Sequence, residues 1–96
     1  MGSGIHKNTL KNINSILNLL REVGQIHIRG ISKNLKLNPF VVSHIIEKYL
    51  NYFVETRDFE EFGFKAKLVR FKPGMENTTL EEVLKYYNLK KKIRNV

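Results

Sequence analysis

The chain has 96 residues, with 17 lysines and arginines against 9 acidic residues and no cysteine, for a formal net charge of +8. That length suits one domain, which buries roughly two-thirds of its unfolded surface without covalent staples. The missing cysteine excludes a disulfide framework, a thiolate metal site and a cysteine nucleophile.

No apolar run approaches a membrane span and no signal-peptide pattern is present, so a soluble, cytoplasmic protein without a membrane partner is expected. The positive excess favours a polyanionic partner, nucleic acid before an acidic membrane or protein surface. The plain alternative is that lysine keeps a small protein soluble. Met1-Gly2-Ser3-Gly4 reads as an expression scar or a disordered start, and residues 1–7 are left outside the fold.

From Asn8 to Val23 the residues Leu10, Ile13, Ile16, Leu17, Leu20 and Val23 fall on one helical face. Asn8 or Thr9 can cap its start, and Gly24 suits the left-handed position that ends it. Asn12, Asn14 and Asn18 are weak helix formers, so this helix must depend on packing. Gln25-Ile26-His27-Ile28 alternates polar and apolar and predicts a short strand, on which His27 is structural or simply exposed.

Between Arg29 and Leu50 two short amphipathic patterns meet at a break, Lys36-Leu37-Asn38-Pro39. Asn38 is a preferred N-cap, and Pro39 then stands at the first helical position, where its missing N–H costs nothing. A residue before proline is pushed out of the helical region, so the preceding helix must end by Leu37. Ile28, Ile31, Leu35 and Leu37 supply the apolar contacts before the break, and Val42, Ile46 and Tyr49 define a buried stripe after it. Helix, tight turn and helix is the arrangement that lays a second helix in the major groove of DNA.

Phe53 to Asp58 and Lys65 to Phe71 predict two strands of a hairpin, with Lys65 and Lys67 on one face and Ala66 and Leu68 on the other. Phe59-Glu60-Glu61-Phe62-Gly63-Phe64 connects them, and the hairpin can pair with the earlier strand into a three-stranded sheet. Pro73-Gly74 closes the unit, giving a domain over residues 8–73. Residues 74–96 then hold a C-terminal helix, opened by a capping box of Thr78 with Glu81. Leu80, Val83, Leu84 and Tyr87 form one stripe on it, while Tyr86, Leu89 and Ile93 fall partly outside, as on a helix with more than one surface to pack against. The basic end, Lys90, Lys91, Lys92 and Arg94, suits the negative helix terminus or a phosphate contact.

The order of elements resembles the winged helix-turn-helix family of transcription regulators from about Thr9 to Phe71. The residues that carry the likeness are Leu19-Leu20, Gly24, Ile28-Arg29-Gly30-Ile31-Ser32-Lys33-Asn34-Leu35, Leu37-Asn38-Pro39, Val42-Ser43, Ile46, Tyr49-Leu50 and Phe53-Val54-Glu55.

The resemblance implies an α+β fold with a three-helix core, a small antiparallel sheet with a wing, and an additional C-terminal helix. It implies double-stranded DNA as partner, a nucleoid-associated location and a homodimer through the C-terminal helix. Carried over, Asn38, Ser43, His44 and Lys48 would face DNA from the second helix of the motif. Arg29 and Lys33 would contact phosphates from the first, and Lys65 and Lys67 from the wing.

Two departures favour an alternative, a protein-interaction module. Phe40, Val41 and Ile45 stand where polar readers are common, and such side chains form no hydrogen bonds to base edges. The wing tip sets Glu60 and Glu61 among Phe59, Phe62 and Phe64, where carboxylates repel phosphate and three aromatics exceed what a hairpin tip can bury. His6, His27 and His44 are too dispersed for a metal motif, and no phosphate-binding glycine loop, nucleophile elbow or catalytic carboxylate pair is present. The reading therefore assigns no enzyme activity, metal or cofactor.

Overall fold

The computed structural model describes residues 5–94, and of Glu61, Ile93 and Arg94 the backbone alone. The reading of residues 1–4 lies outside the described residues. Helix α1 (Lys7–Val23) begins one residue before the predicted start. Its cap is neither Asn8 nor Thr9 but His6, whose Nδ1 accepts a hydrogen bond from the Asn8 N–H at 3.2 Å. Gly24 ends it with φ 84°, and the Gly24 N–H donates to the Leu20 carbonyl. Ile13, Ile16, Leu17, Leu19 and Leu20 of α1 are buried, whereas Val23 is exposed.

Strand β1 (Gln25–His27) stops before Ile28 because His27 turns the chain straight into α2 (Ile28–Leu35). His27 Nδ1 accepts from the Gly30 N–H at 2.8 Å and so caps α2, a structural role. Lys36 then adopts the left-handed conformation, φ 56°, and donates its N–H to the Ser32 carbonyl. The Leu37 N–H donates to the same carbonyl at 3.0 Å, and the Ser32 hydroxyl donates to the Leu37 carbonyl.

Asn38 caps α3 (Pro39–Ile45) as expected, its Oδ1 accepting from the Phe40 N–H at 2.8 Å. The last turn, Ile46–Leu50, widens to a π-helix, with the Ile46 N–H shared between the Ser43 and Val42 carbonyls. The buried stripe of α3 and this turn is broader than predicted. It comprises Val42, Ile45, Ile46, Tyr49 and Leu50, because a helix packed on a core buries three or four residues per two turns. Ile45, expected on the outward face, is only 2% exposed and belongs to the core.

Strands β2 (Val54–Glu61) and β3 (Phe64–Phe71) form the hairpin, and the sheet order is β1-β3-β2, antiparallel throughout. The six-residue connection foreseen from the sequence contracts to the two residues Phe62 and Gly63, at φ 52° and 81°. Positive φ at both central positions is the hairpin turn whose twist matches the strands. Val54, Val69 and Phe71 face the helices and complete the core.

Helix α4 (Leu80–Arg94) is capped one residue later than predicted. The Thr79 N–H donates to Glu82 Oε1 at 3.1 Å and the Glu82 N–H to Thr79 Oγ1 at 3.3 Å. Thr78 instead donates its hydroxyl to the Met75 carbonyl at 2.7 Å, and its own carbonyl accepts from Arg21 Nη1 at 2.7 Å. Val83 is fully buried, and Tyr87 and Tyr86 meet Tyr49 and Tyr52 with ring centroids 5.0 and 4.3 Å apart. The result is the α+β arrangement expected: a three-helix core, a small antiparallel sheet with a projecting hairpin, and a fourth helix against α1 and the π-turn.

Gly30 sits where β1 hands over to α2, and a Cβ there would lie 2.7 Å from Ile26 Cγ1 and 3.0 Å from the capping His27 Nδ1. Gly30→Ala is therefore expected to lose about 1–3 kcal/mol of stability, despite alanine's better helix propensity, because the strand and cap must shift. Urea unfolding checks this, and an unchanged midpoint would show that the joint yields freely.

Candidate nucleic-acid interface

The side of α3 and its π-turn that faces away from the core carries Phe40, Val41, His44, Glu47 and Lys48, all exposed. These positions follow from the buried stripe, since the residues between core contacts on a helix point outward. Phe40 is 84% exposed, an unusual setting for phenylalanine in a structure with a well-filled interior. Ser43 is half-buried at the flank. Asn38 is exposed, but its Oδ1 is occupied by the cap, which leaves the amide NH₂ to donate. Lys48 lies with its Nζ 5.5 Å from the Tyr49 ring centroid, where the aromatic face attracts a cation.

Arg29 and Lys33 stand one helical turn apart on α2 and are both exposed. Lys36, at the turn into α3, adds a third cation that the sequence reading did not single out. Its signal was positional, because the residue closing α2 has to lie beside the start of α3. On the π-turn that follows α3 Lys48 is offset by Glu47, so positive potential at this face comes chiefly from α2 and the turn before α3.

A second feature escaped the sequence reading. Asn8, Lys11, Asn12 and Ser15 recur at helical spacing on α1 and line a cleft of about 360 Å³ with Leu35 and Leu37, next to the turn. Their periodicity was present in the sequence, but the apolar stripe of the same helix drew the reading.

The hairpin lysines occupy a different setting from the one implied. Lys65 lies directly across the sheet from Glu60, and Lys67 from Asp58. Opposed charges at such positions attract, typically contributing about 0.2–1 kcal/mol per pair, so these two cations are locally compensated. By strand alternation they extend the sheet face that carries Val69 and Phe71 into the core. Phe64, Ala66 and Leu68 line the opposite face, with Phe59 directly across from Ala66. The sequence-predicted cations thus divide into Arg29 and Lys33 on α2, Lys48 offset by its neighbour Glu47, and a pair on the hairpin, Lys65 and Lys67, set against Glu60 and Asp58.

The aromatic residues toward the tip of the hairpin remain outside the core: Phe59 is 40% exposed, Phe64 75% and Phe62 94%. Among the described residues, no three metal-ligating side chains come together, and no helix is long and apolar enough to cross a membrane.

No protein-family model and no curated protein matches the chain. A solved structure described as a possible transcriptional regulator from Methanosarcina mazei Go1 is similar over 97% of this chain and 80% of that one, with a TM-score of 0.53 and 16% sequence identity. At that identity the likeness is one of fold, and it spans the helical core, the sheet and the fourth helix together.

Proposed function

We propose that the chain is a winged helix-turn-helix DNA-binding protein that regulates transcription, with α3 as the helix presented to the major groove. The observation that carries this reading is the open outer face of α3 beside the unopposed cations of α2 and the turn. Arg29, Lys33 and Lys36 would neutralise phosphates, while His44, Ser43 and the free amide of Asn38 would reach base edges. Phe40 and Val41 would supply apolar contact to thymine methyl groups, which favours A·T-containing steps over hydrogen-bond readout. The description of the similar structure as a possible transcriptional regulator supports the same direction. Lys65 and Lys67 take a lesser part, because Glu60 and Asp58 oppose them.

A second reading, a protein-interaction module, is favoured by one observation. Phe62 is almost fully exposed and is held at a positive φ that asparagine or glycine adopts more easily. Strain kept at an exposed site is compatible with use of that side chain. In this reading Phe40, Val41, Phe59, Phe62 and Phe64 would meet the partner. The homodimer through α4 is a further part of the proposal, resting on Leu89, which is 57% exposed on that helix.

Binding to duplex DNA should fall with salt at a log–log slope of roughly −5 if about six phosphates are neutralised. Lys33→Ala and Lys48→Ala should weaken binding to every duplex, whereas His44→Ala or Ser43→Ala should alter preference among sequences. A mobility-shift titration at low salt with no complex on any duplex would defeat the DNA reading.

Phe62→Asn separates the two readings, since asparagine accepts the turn conformation and should preserve or raise stability. Unchanged duplex affinity is expected if the tip stands off DNA, and loss of a purified partner's binding is expected if the tip is a protein contact. For the dimer, Leu89→Glu is the cleaner probe, because deleting α4 would uncover the core around Val83. Light scattering should then report a monomer, and a monomeric unaltered chain would remove the dimer from the proposal.

A further inference from the structure

Strand β1 covers only part of the β3 edge. Its three residues pair with Leu68, Val69 and Arg70, and the chain then leaves the sheet as α2. Past that point, among the described residues, the side of β3 away from β2 has no neighbouring strand from residue 64 to residue 67.

A groove of about 680 Å³ occupies this notch, between the hairpin, the first turn of α2 and the first residue of α3. That volume lies within the range of small-molecule sites, roughly 300–1,000 Å³. Its apolar surface comes from Ile28, Pro39, Phe59 and Phe64. Its charged lining among the described residues is Arg29, Lys65 and Lys67, with no described carboxylate in it. Asp58 and Glu60 border instead a separate depression that they share with the hairpin lysines.

We propose that this groove binds a small anion with an apolar, preferably aromatic, body, and that the bound anion competes with DNA for Arg29. The chemistry follows from the lining. Aromatic and aliphatic walls gain by covering an apolar body, and Arg29, joined by hairpin lysines whose acids Glu60 and Asp58 stand across the sheet, favours a carboxylate, sulfonate or phosphate at its end. The first turn of α2 closes the groove at the β1 end, so a compact ligand fits better than a continuous peptide strand laid along β3. Competition rests on the DNA reading above, in which Arg29 neutralises a phosphate. The site itself rests only on the groove.

The full chain titrated with naphthalene-2-carboxylate, and separately with neutral naphthalene-2-carboxamide, tests the proposal by amide chemical shifts. Saturable binding is expected, with shifts centred on Ile28, Arg29 and Phe64 to Leu68. The carboxylate should bind about tenfold more tightly than the amide, the ratio for about 1.4 kcal/mol of charge interaction.

Phe64→Ser and Arg29→Gln should each weaken the carboxylate several-fold, and Phe62→Ser, outside the groove, should not. No saturation, equal affinities for acid and amide, or shifts centred elsewhere would each overturn the site. With a duplex that binds, the carboxylate should raise the apparent DNA Kd in step with its occupancy, and independent binding of both would overturn the competition. If no duplex binds, the DNA reading falls, while the ligand titration still decides the site.

Discussion

The turn between α2 and α3 sets the direction in which α3 points, and everything proposed for this chain depends on that direction. Four devices act within eight residues. Ser32 bonds Leu37 through both its hydroxyl and its carbonyl, Lys36 takes the left-handed conformation, Asn38 caps the next helix, and Pro39 occupies the position where no N–H is needed. The Ser32 and Asn38 bonds satisfy backbone groups that the helix ends leave open, and Pro39 removes the need for one more. The buried stripe of α3 then decides its rotation, and the rotation decides which side chains face outward.

Much of this was legible before any coordinates. Asn38-Pro39 announces a helix start by two independent mechanisms, and Gly24 announces a helix end by a third, so these boundaries emerged at the right residues. The readings that shifted did so where local preference offered near-equal choices. Thr78 and Thr79 are both good caps, and only the tertiary bonds of Thr78 to Met75 and Arg21 leave the capping box to Thr79. His6 caps α1 because a neutral imidazole nitrogen accepts a hydrogen bond as well as an amide oxygen, although histidine is not a usual N-cap. Phe62-Gly63 does not advertise a two-residue turn, since the first position normally calls for asparagine or aspartate.

The site was less legible than the fold for a physical reason. Charge in a sequence is a sum, whereas a binding face depends on which charges stand opposite one another. Lys65 and Lys67 counted toward a basic wing until the register set Glu60 and Asp58 against them. Ile45 counted as an outward apolar residue until the helix proved to bury a wider stripe than its strongest positions suggested. Lys36 and the Asn8-Lys11-Asn12-Ser15 row had no part in the binding face until the fold gathered them near the turn.

The far end of α3 is held as firmly as its start, by different means. There the helix widens into a π-turn, and Tyr49 and Tyr52 on and beside that turn pack against Tyr87 and Tyr86 of α4. Phe53 adds an edge-on contact to both Tyr52 and Tyr86. Aromatic pairs of this kind contribute about 0.5–1.5 kcal/mol each beyond the area they cover. With Val83 buried in the same core, α4 is no appendage but the support on which the C-terminal half of α3 rests. A helix fixed at one end by hydrogen bonds and at the other by ring packing presents its outer side chains on a rigid frame. Selectivity at such a face then depends on the exposed residues themselves, Phe40, Val41, His44 and Lys48, and on the cations beside them, rather than on any adjustment of the backbone that carries them.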